Sequence, residues 1–422
     1  MMTTQSRMRQ MFQCVWHQYM RSLGMAVIAV ATLASHVSDL RGDTSKVSKQ
    51  SWEVLRAVDA GLCGQESVDD EGSVLSVRIE RPNAMRLEKL VKAFPSLDFV
   101  YFSGIDESLT PGDIQCLESL PHLKRLWFLS PLTDQWAEAL SRFPQLRELH
   151  LLVRLGVTER GLFALSGFKD VETLSLGIGF ERFLATEDEQ GAAVLRQFGN
   201  LKVLTLSGAS VSRQTLQEVG QHRQLKILRY EANHRNLEND DFAPLSQLQH
   251  LEEVEIPTLA VKSIAGLHSL KKVCGLSDIN DEGMRHLSEL RNLEELCLPG
   301  ANRITDQSLI HLANATALTT LQLRSPKLDG RGLRHLTGCK QLRRLLLRQT
   351  NFQPQNVRHL TALSALEYLD LGWTPMNEGE NWKTLAALKV LGNLKALEIE
   401  LSEPDRLRLG DMLPGVFVNY LE

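Results

Sequence analysis

The chain has 422 residues, of which 43% are hydrophobic, 23% charged and only 6% aromatic, with a formal net charge of −4. Such a length allows two or three ordinary domains or one elongated array. So slight an acidity argues against nucleic acid as the main partner, because neutralising phosphates requires a basic surface.

At the N-terminus, Arg7, Arg9 and Arg21 precede an uncharged apolar stretch, LGMAVIAVATLA, at 23–34. Twelve residues are too few to span a bilayer as a helix, which needs about 20. A basic segment, a short apolar segment and small residues at Thr32 and Ala34 match a secretory signal peptide over 1–34, cleaved after Ala34. A start at Met20 gives a more compact version of the same signal, and an uncleaved N-terminal anchor is the alternative. Residues 35–50, rich in Ser, Lys, Asp and Thr, read as a flexible tether. Residues 51–72 fit a helical cap.

From residue 73 to 402 one spacing recurs, L-x-x-L-x-L. It is clear in LRELHL (146–151), VETLSL (171–176), LKVLTL (201–206), LEELCL (293–298), LTTLQL (318–323), LRRLLL (342–347) and LEYLDL (366–371). Weaker copies such as LKKVCG (270–275) bring the total to about fourteen, and the half-copy LPGVFV (413–418) falls in a C-terminal cap at 403–422. Ahead of each run lies a second pattern, as in ITDQSLIHLANATAL (304–318) and INDEGMRHLSELRNL (279–293). An Asp after Thr or Asn, Asp306 or Asp281, supplies a helix N-cap. Apolar residues three apart, Leu309 and Leu312, then form one helical face.

Each unit is therefore strand, turn, short helix, turn. Period 2 in the strand turns Leu296 and Leu298 to one face and Glu295 and Cys297 to the other. One unit cannot bury its leucines alone, so neighbours must stack. Parallel strands stack about 4.8 Å apart, whereas packed helices need about 8–10 Å. The mismatch bends the stack, with strands on the concave face and helices on the convex face.

These units resemble leucine-rich repeats, and the version carrying TDxxLxxL is similar to the ribonuclease-inhibitor-like and cysteine-containing classes found in exported bacterial proteins. The resemblance covers about residues 72–420. It implies an α/β solenoid shaped as a horseshoe and a role in binding proteins, without naming an activity or a partner.

With the register set, the outward strand positions fall into zones. Phe99, Tyr101, Trp127, Leu129, His150 and Leu152 make an apolar, aromatic patch. Glu253, Glu255 and Glu295 make the middle acidic, and Arg324, Arg344 and Arg348 make the next part basic, with Tyr368 and Trp373 beside it. Trp, Tyr and Arg dominate recognition hot spots, so these are the partner-binding candidates. The alternative for the first patch is packing beneath the N-terminal cap, and for the arginines a solvated surface. Cys274 and Cys297 share a column in successive units. Their α-carbons would lie about 4.8 Å apart, which makes them a candidate disulfide, with β-carbons slightly beyond the preferred span.

No metalloprotease, phosphate-loop, nucleophile-elbow or C-x-x-C motif occurs. His286, His311, His335 and His359 share one helix position in four successive units. A metal needs donor nitrogens within about 2.1 Å of one ion, so repeat consensus explains this ladder better than ligation. The expectation is an exported, monomeric, non-enzymatic scaffold without metal or cofactor, binding a protein through its concave face. The alternatives are a cytoplasmic adaptor that presents substrates to an enzyme, and a purely structural envelope protein.

Overall fold

The recurring leucine pairs dictate the architecture. The computed structural model describes residues 47–58, 60–62, 68–79, 82–102, 109–153, 157–178, 189–208, 211–232, 234 and 237–419. The apolar stretch 23–34 and most of the tether, Cys14, Cys63 and the loop residues 179–188 lie outside them. Among the described residues no helix is long and apolar enough to cross a membrane.

Two compact units divide the chain, the first running to Thr215 with Glu231–Arg235, the second comprising Leu216–Tyr230 and Asn236–Glu422. The first holds β1 (Ala60–Leu62), β2 (Ser76–Ile79), β3 (Phe99–Phe102), β4 (Arg125–Pro131), β5 (Glu148–Val153), β6 (Thr173–Ile178) and β7 (Val203–Gly208). The helix Lys49–Ala57 precedes them, and β1 lies antiparallel on β2. The segment 51–72 thus contributes a strand as well as a helix. From β2 onward each strand lies parallel beside its sequence neighbour.

Most of β8 (Ile227–Ala232), as far as Tyr230, belongs to the second unit. That unit continues with β9 (Glu253–Glu255), β10 (Lys272–Cys274), β11 (Glu295–Leu298), β12 (Thr320–Leu323), β13 (Arg344–Leu346), β14 (Tyr368–Asp370), β15 (Ala396–Glu398) and β16 (Phe417–Asn419). All are parallel and follow chain order. The helix Glu403–Met412 leads into β16, which pairs with β15.

Register places equivalent leucines side by side. Leu296 stands opposite Leu321, Leu321 opposite Leu345, Leu345 opposite Leu369 and Leu369 opposite Leu397, every one fully buried. Each such side chain contributes about 1.5–3 kcal/mol by leaving water. Cys339 fills the slot that Leu290 and Phe168 occupy in other repeats and is buried like them.

The segments returning from strand to strand differ between the units. In the first most are α-helical, as in Asp134–Leu140 and Glu159–Leu165, with Asp113–Ser119 a 3-10 helix. In the second most are 3-10 helices, including Asn239–Gln247, Asp306–Leu312, Arg331–Gly338 and Asn381–Val390.

The capping expectation needs correction. The residue before the aspartate makes the cap: Thr133, Thr158, Asn280 and Thr305 each accept from a backbone N–H of the helix they open. The aspartate instead reaches the next repeat. Asp281 accepts from the backbone N–H and the hydroxyl of Thr305, both at 2.7 Å. Asp306 accepts from the N–H groups of Asp329 (2.8 Å), Gly330 (3.1 Å) and Gly332 (2.6 Å). Asparagines that open a leucine run do similar work in reverse, Asn292 donating to the His268 carbonyl at 2.9 Å in the preceding repeat. Polar staples therefore join repeats that the leucines already hold together.

Candidate functional site

The inward half of each strand is the core, so any recognition surface on the sheet is built from the alternate positions. In the first unit, β3 to β5 bring Phe99, Tyr101, Trp127 and His150 into one ring cluster. Trp127 lies 5.2 Å from Phe99 and 5.3 Å from Tyr101, edge to face, and stacks on His150 at 4.1 Å between centroids. Arg125 covers the Phe99 ring at 4.9 Å and is held by Asp98 at 2.7 Å. The cluster is tightly filled: Phe99 is 5% and His150 7% exposed. Leu152 is half-buried, and the side chain of Leu129 lies outside the described part of the structure.

Spacing did not single out Glu148, which completes this cluster. It precedes His150 by two residues and so projects to the same side of β5. Its Oε1 accepts from the Trp127 indole at 2.6 Å and lies 3.4 Å from His150 Nε2. Burial pushes the Glu148 carboxyl up, but its bonds from His150 and Trp127, with Arg125 nearby, outweigh burial and hold it below its ordinary value. Burial pushes His150 down, against the pull of Glu148, and keeps the imidazole neutral. Its Nδ1 is buried without a partner.

In the second unit the acidic zone is largely neutralised. Glu253 pairs with Arg229 at 2.9 Å and Glu295 with Lys272 at 3.4 Å. Glu255 makes no ion pair among the described residues and stands opposite Cys274 in register. Cys274 and Cys297 are free thiols.

Farther along the same sheet, β13 and β14 gather the arginines and the remaining aromatics. Arg344 lies over Tyr368 at 4.5 Å and Arg348 over Trp373 at 4.7 Å. Arg348 also comes within 3.5 Å of Asp370, whose carboxyl burial pushes upward and whose Oδ1 accepts from the Gly372 N–H. Arg324 and Arg344 are exposed and make no ion pair among the described residues. Trp373 is 51% exposed.

Its backbone explains why. Trp373 has φ 52° and Gln349, the equivalent residue one repeat earlier, φ 56°, both left-handed. That conformation costs a side chain about 1–2 kcal/mol. At Trp373 it is secured by the backbone N–H donating to Glu400 at 2.9 Å, and the Thr374 hydroxyl closes the turn on the Leu371 carbonyl at 2.7 Å. The indole is thereby aimed off the end of β14, beside Arg348. Repeat position lines up Arg348 with Arg324 and sets Trp373 beside this zone; the left-handed turn lays its indole against Arg348.

The four helix histidines lie on successive return segments. Among the described residues no three His, Cys, Asp or Glu side chains converge as a metal-ligand group.

No family model matches the sequence, and no curated protein sequence matches it. Solved structures do. A leucine-rich-repeat protein of Leptospira interrogans is 15% identical, covering 84% of this chain and 93% of its own, with a TM-score of 0.51. An internalin (InlF) of Listeria monocytogenes is 18% identical over 83% of this chain and 88% of its own, with a TM-score of 0.45. The TLR13–ssRNA13 complex matches at 20% identity over 76% of this chain and 45% of that one, with a TM-score of 0.49. At such identities the likeness speaks to fold alone, and the Leptospira structure carries it: an α/β leucine-rich-repeat solenoid.

Proposed function

We propose that this leucine-rich-repeat chain is a non-enzymatic, exported scaffold that binds a protein partner through the open face of its sheet, with the contact centred in the second unit. The observation that carries this is the half-exposed Trp373, held in a left-handed turn beside Arg348, with Tyr368, Arg344 and Arg324 alongside. Trp, Tyr and Arg are the residues that most often anchor interfaces. Strain at an exposed aromatic persists only where surrounding bonds enforce it, and here Glu400 does so. The exposed, unpaired guanidiniums favour a partner with an acidic surface. A stiff sheet loses little ordering entropy on binding. The Asp-bearing turns at 281 and 306 support the ribonuclease-inhibitor-like or cysteine-containing class of repeat, and the basic-then-apolar start of the chain supports export.

The test is affinity capture with the wild-type chain, Trp373→Ala/Arg344→Ala, Trp127→Ala/Tyr101→Ala, and the control Phe163→Ala, an exposed residue on a return helix. Loss of a reproducibly captured partner in the 373/344 variant alone is expected. Equal capture by all four proteins overturns the assignment of the surface. A mature N-terminus near Ser35 in an extracytoplasmic fraction is expected from export, and a full-length chain confined to the cytoplasm rules it out.

A further inference from the structure

β10 and β11 run parallel with Lys272 opposite Glu295 and Val273 opposite Leu296. The same offset of one repeat sets Cys274 beside Cys297, and both side chains project from the open face, half-buried. The register thus makes these two thiols cross-strand neighbours on one face of the sheet. The other described cysteines stand alone. Cys116 donates to the Asp113 carbonyl at 3.4 Å and Cys339 to the Leu312 carbonyl at 3.6 Å. Burial raises each of those two thiols to about 11. Cys297 goes the other way: the neighbouring Cys274 thiol holds it below its ordinary value, helped by Lys272, although burial and Glu295 oppose this. Cys274 is pushed up by the Cys297 thiol beside it and by burial, so it is the partner that keeps its proton.

We propose that Cys274 and Cys297 form a redox-active dithiol, which hydroperoxides convert to a reversible cross-strand disulfide. The Cys297 thiolate attacks one peroxide oxygen; an S–O bond forms, the O–O bond breaks, and the departing hydroxide (or alkoxide) takes up a proton. The Cys274 sulfur then attacks the Cys297 sulfenic sulfur; the S–S bond forms, the S–O bond breaks, and hydroxide leaves as water with the Cys274 proton. Together the two thiols lose two electrons and two protons, and the peroxide is reduced to water or to water and an alcohol.

Geometry makes the bridge labile. In-register parallel strands hold α-carbons about 4.8 Å apart, inside the disulfide window, but β-carbons at a similar separation exceed the preferred ~3.5–4.5 Å. Closing the bond must draw β10 and β11 together, and a strained disulfide is more readily reduced. The end of β10 has no slack to absorb this. Gly275, at φ 89°, follows Cys274 directly, and a Cβ there would lie 2.8 Å from the Ile256 carbonyl. The bridge is therefore a switch on the middle of the sheet and not a permanent staple.

The test uses the full chain, reduced, freed of reductant and treated with one equivalent of hydrogen peroxide. Remaining thiols are then alkylated and the peptides mapped by mass. The expected product joins the peptides of Cys274 and Cys297 at a mass two hydrogens lighter, with Cys116 and Cys339 alkylated; dithiothreitol restores both thiols. Cys274→Ser should leave a dimedone-reactive sulfenic acid on Cys297, and Cys297→Ser should lose the fast consumption of peroxide. Oxidation of Cys297 no faster than that of Cys116, or bridges made to other cysteines, overturns the proposal.

Discussion

The indole N–H of Trp127 donates to Oε1 of Glu148 at 2.6 Å, while His150, stacked on that indole, reaches the same oxygen from the other side at 3.4 Å. An anionic oxygen in a ring cluster needs both donors. Trp127→Phe keeps an aromatic ring but removes one of them, and a hydrogen bond to a charged group contributes about 1.5–3 kcal/mol. A urea midpoint lowered accordingly is expected. An unchanged midpoint would show that the carboxylate finds water instead.

The same cluster sets a pH dependence. His150 is held below its ordinary value of 6.5, chiefly by burial. Between its folded value and 6.5 the unfolded chain binds more protons than the folded one, so stability rises with pH there. This contribution is whole above pH 6.5 and is lost as pH falls through the folded value. Glu148, also held low, adds a second loss as pH falls below its ordinary 4.5. His222, depressed chiefly by burial, titrates in the first window as well. Unfolding free energies measured from pH 7 to 5.5 should therefore fall less steeply in His150→Phe than in wild type, without becoming flat. Parallel slopes would show that His150 takes up its proton as readily in the folded protein as in the unfolded chain.

The inside–outside alternation can be checked on β12. Leu321 is fully buried and Gln322, its neighbour, half-exposed. Leu321→Ala should cost about 2–5 kcal/mol, and Gln322→Ala within about 0.5 kcal/mol. Thermal or denaturant unfolding of both variants gives the comparison, and similar costs would mean that the alternation is misassigned.

Asp306 holds three backbone N–H groups of the next repeat. In Asp306→Ala those donors lose a charged acceptor, at a cost of about 2 kcal/mol or more. The local signature is faster hydrogen exchange at the amides of Asp329, Gly330 and Gly332. Asp306→Asn, which keeps one acceptor oxygen, should recover part of both effects. Unaltered exchange at these three amides in the alanine variant would remove the stapling role.

Period and phase of the leucines are enough to determine which way every strand residue faces, because side chains alternate strictly along a strand and repeats of similar length must stack in register. That placed Leu296 and Leu321 inside, Cys274 beside Cys297, and Arg324, Arg344 and Tyr368 on the open face. Three things required the tertiary structure. Leu309 and Leu312, three residues apart, share a face in an α-helix and in a 3-10 helix alike, so the return segments of the second unit could not be typed from their spacing. The reach of Asp306 depends on where the next repeat's backbone lies. Exposure of an outward residue depends on its neighbours across the sheet. His150 faces outward yet is buried under Trp127, whereas Trp373, beyond the end of its strand, is turned to solvent by a backbone angle that no leucine spacing encodes. Alternation is a property of one chain segment; burial and reach belong to the groups that meet across several.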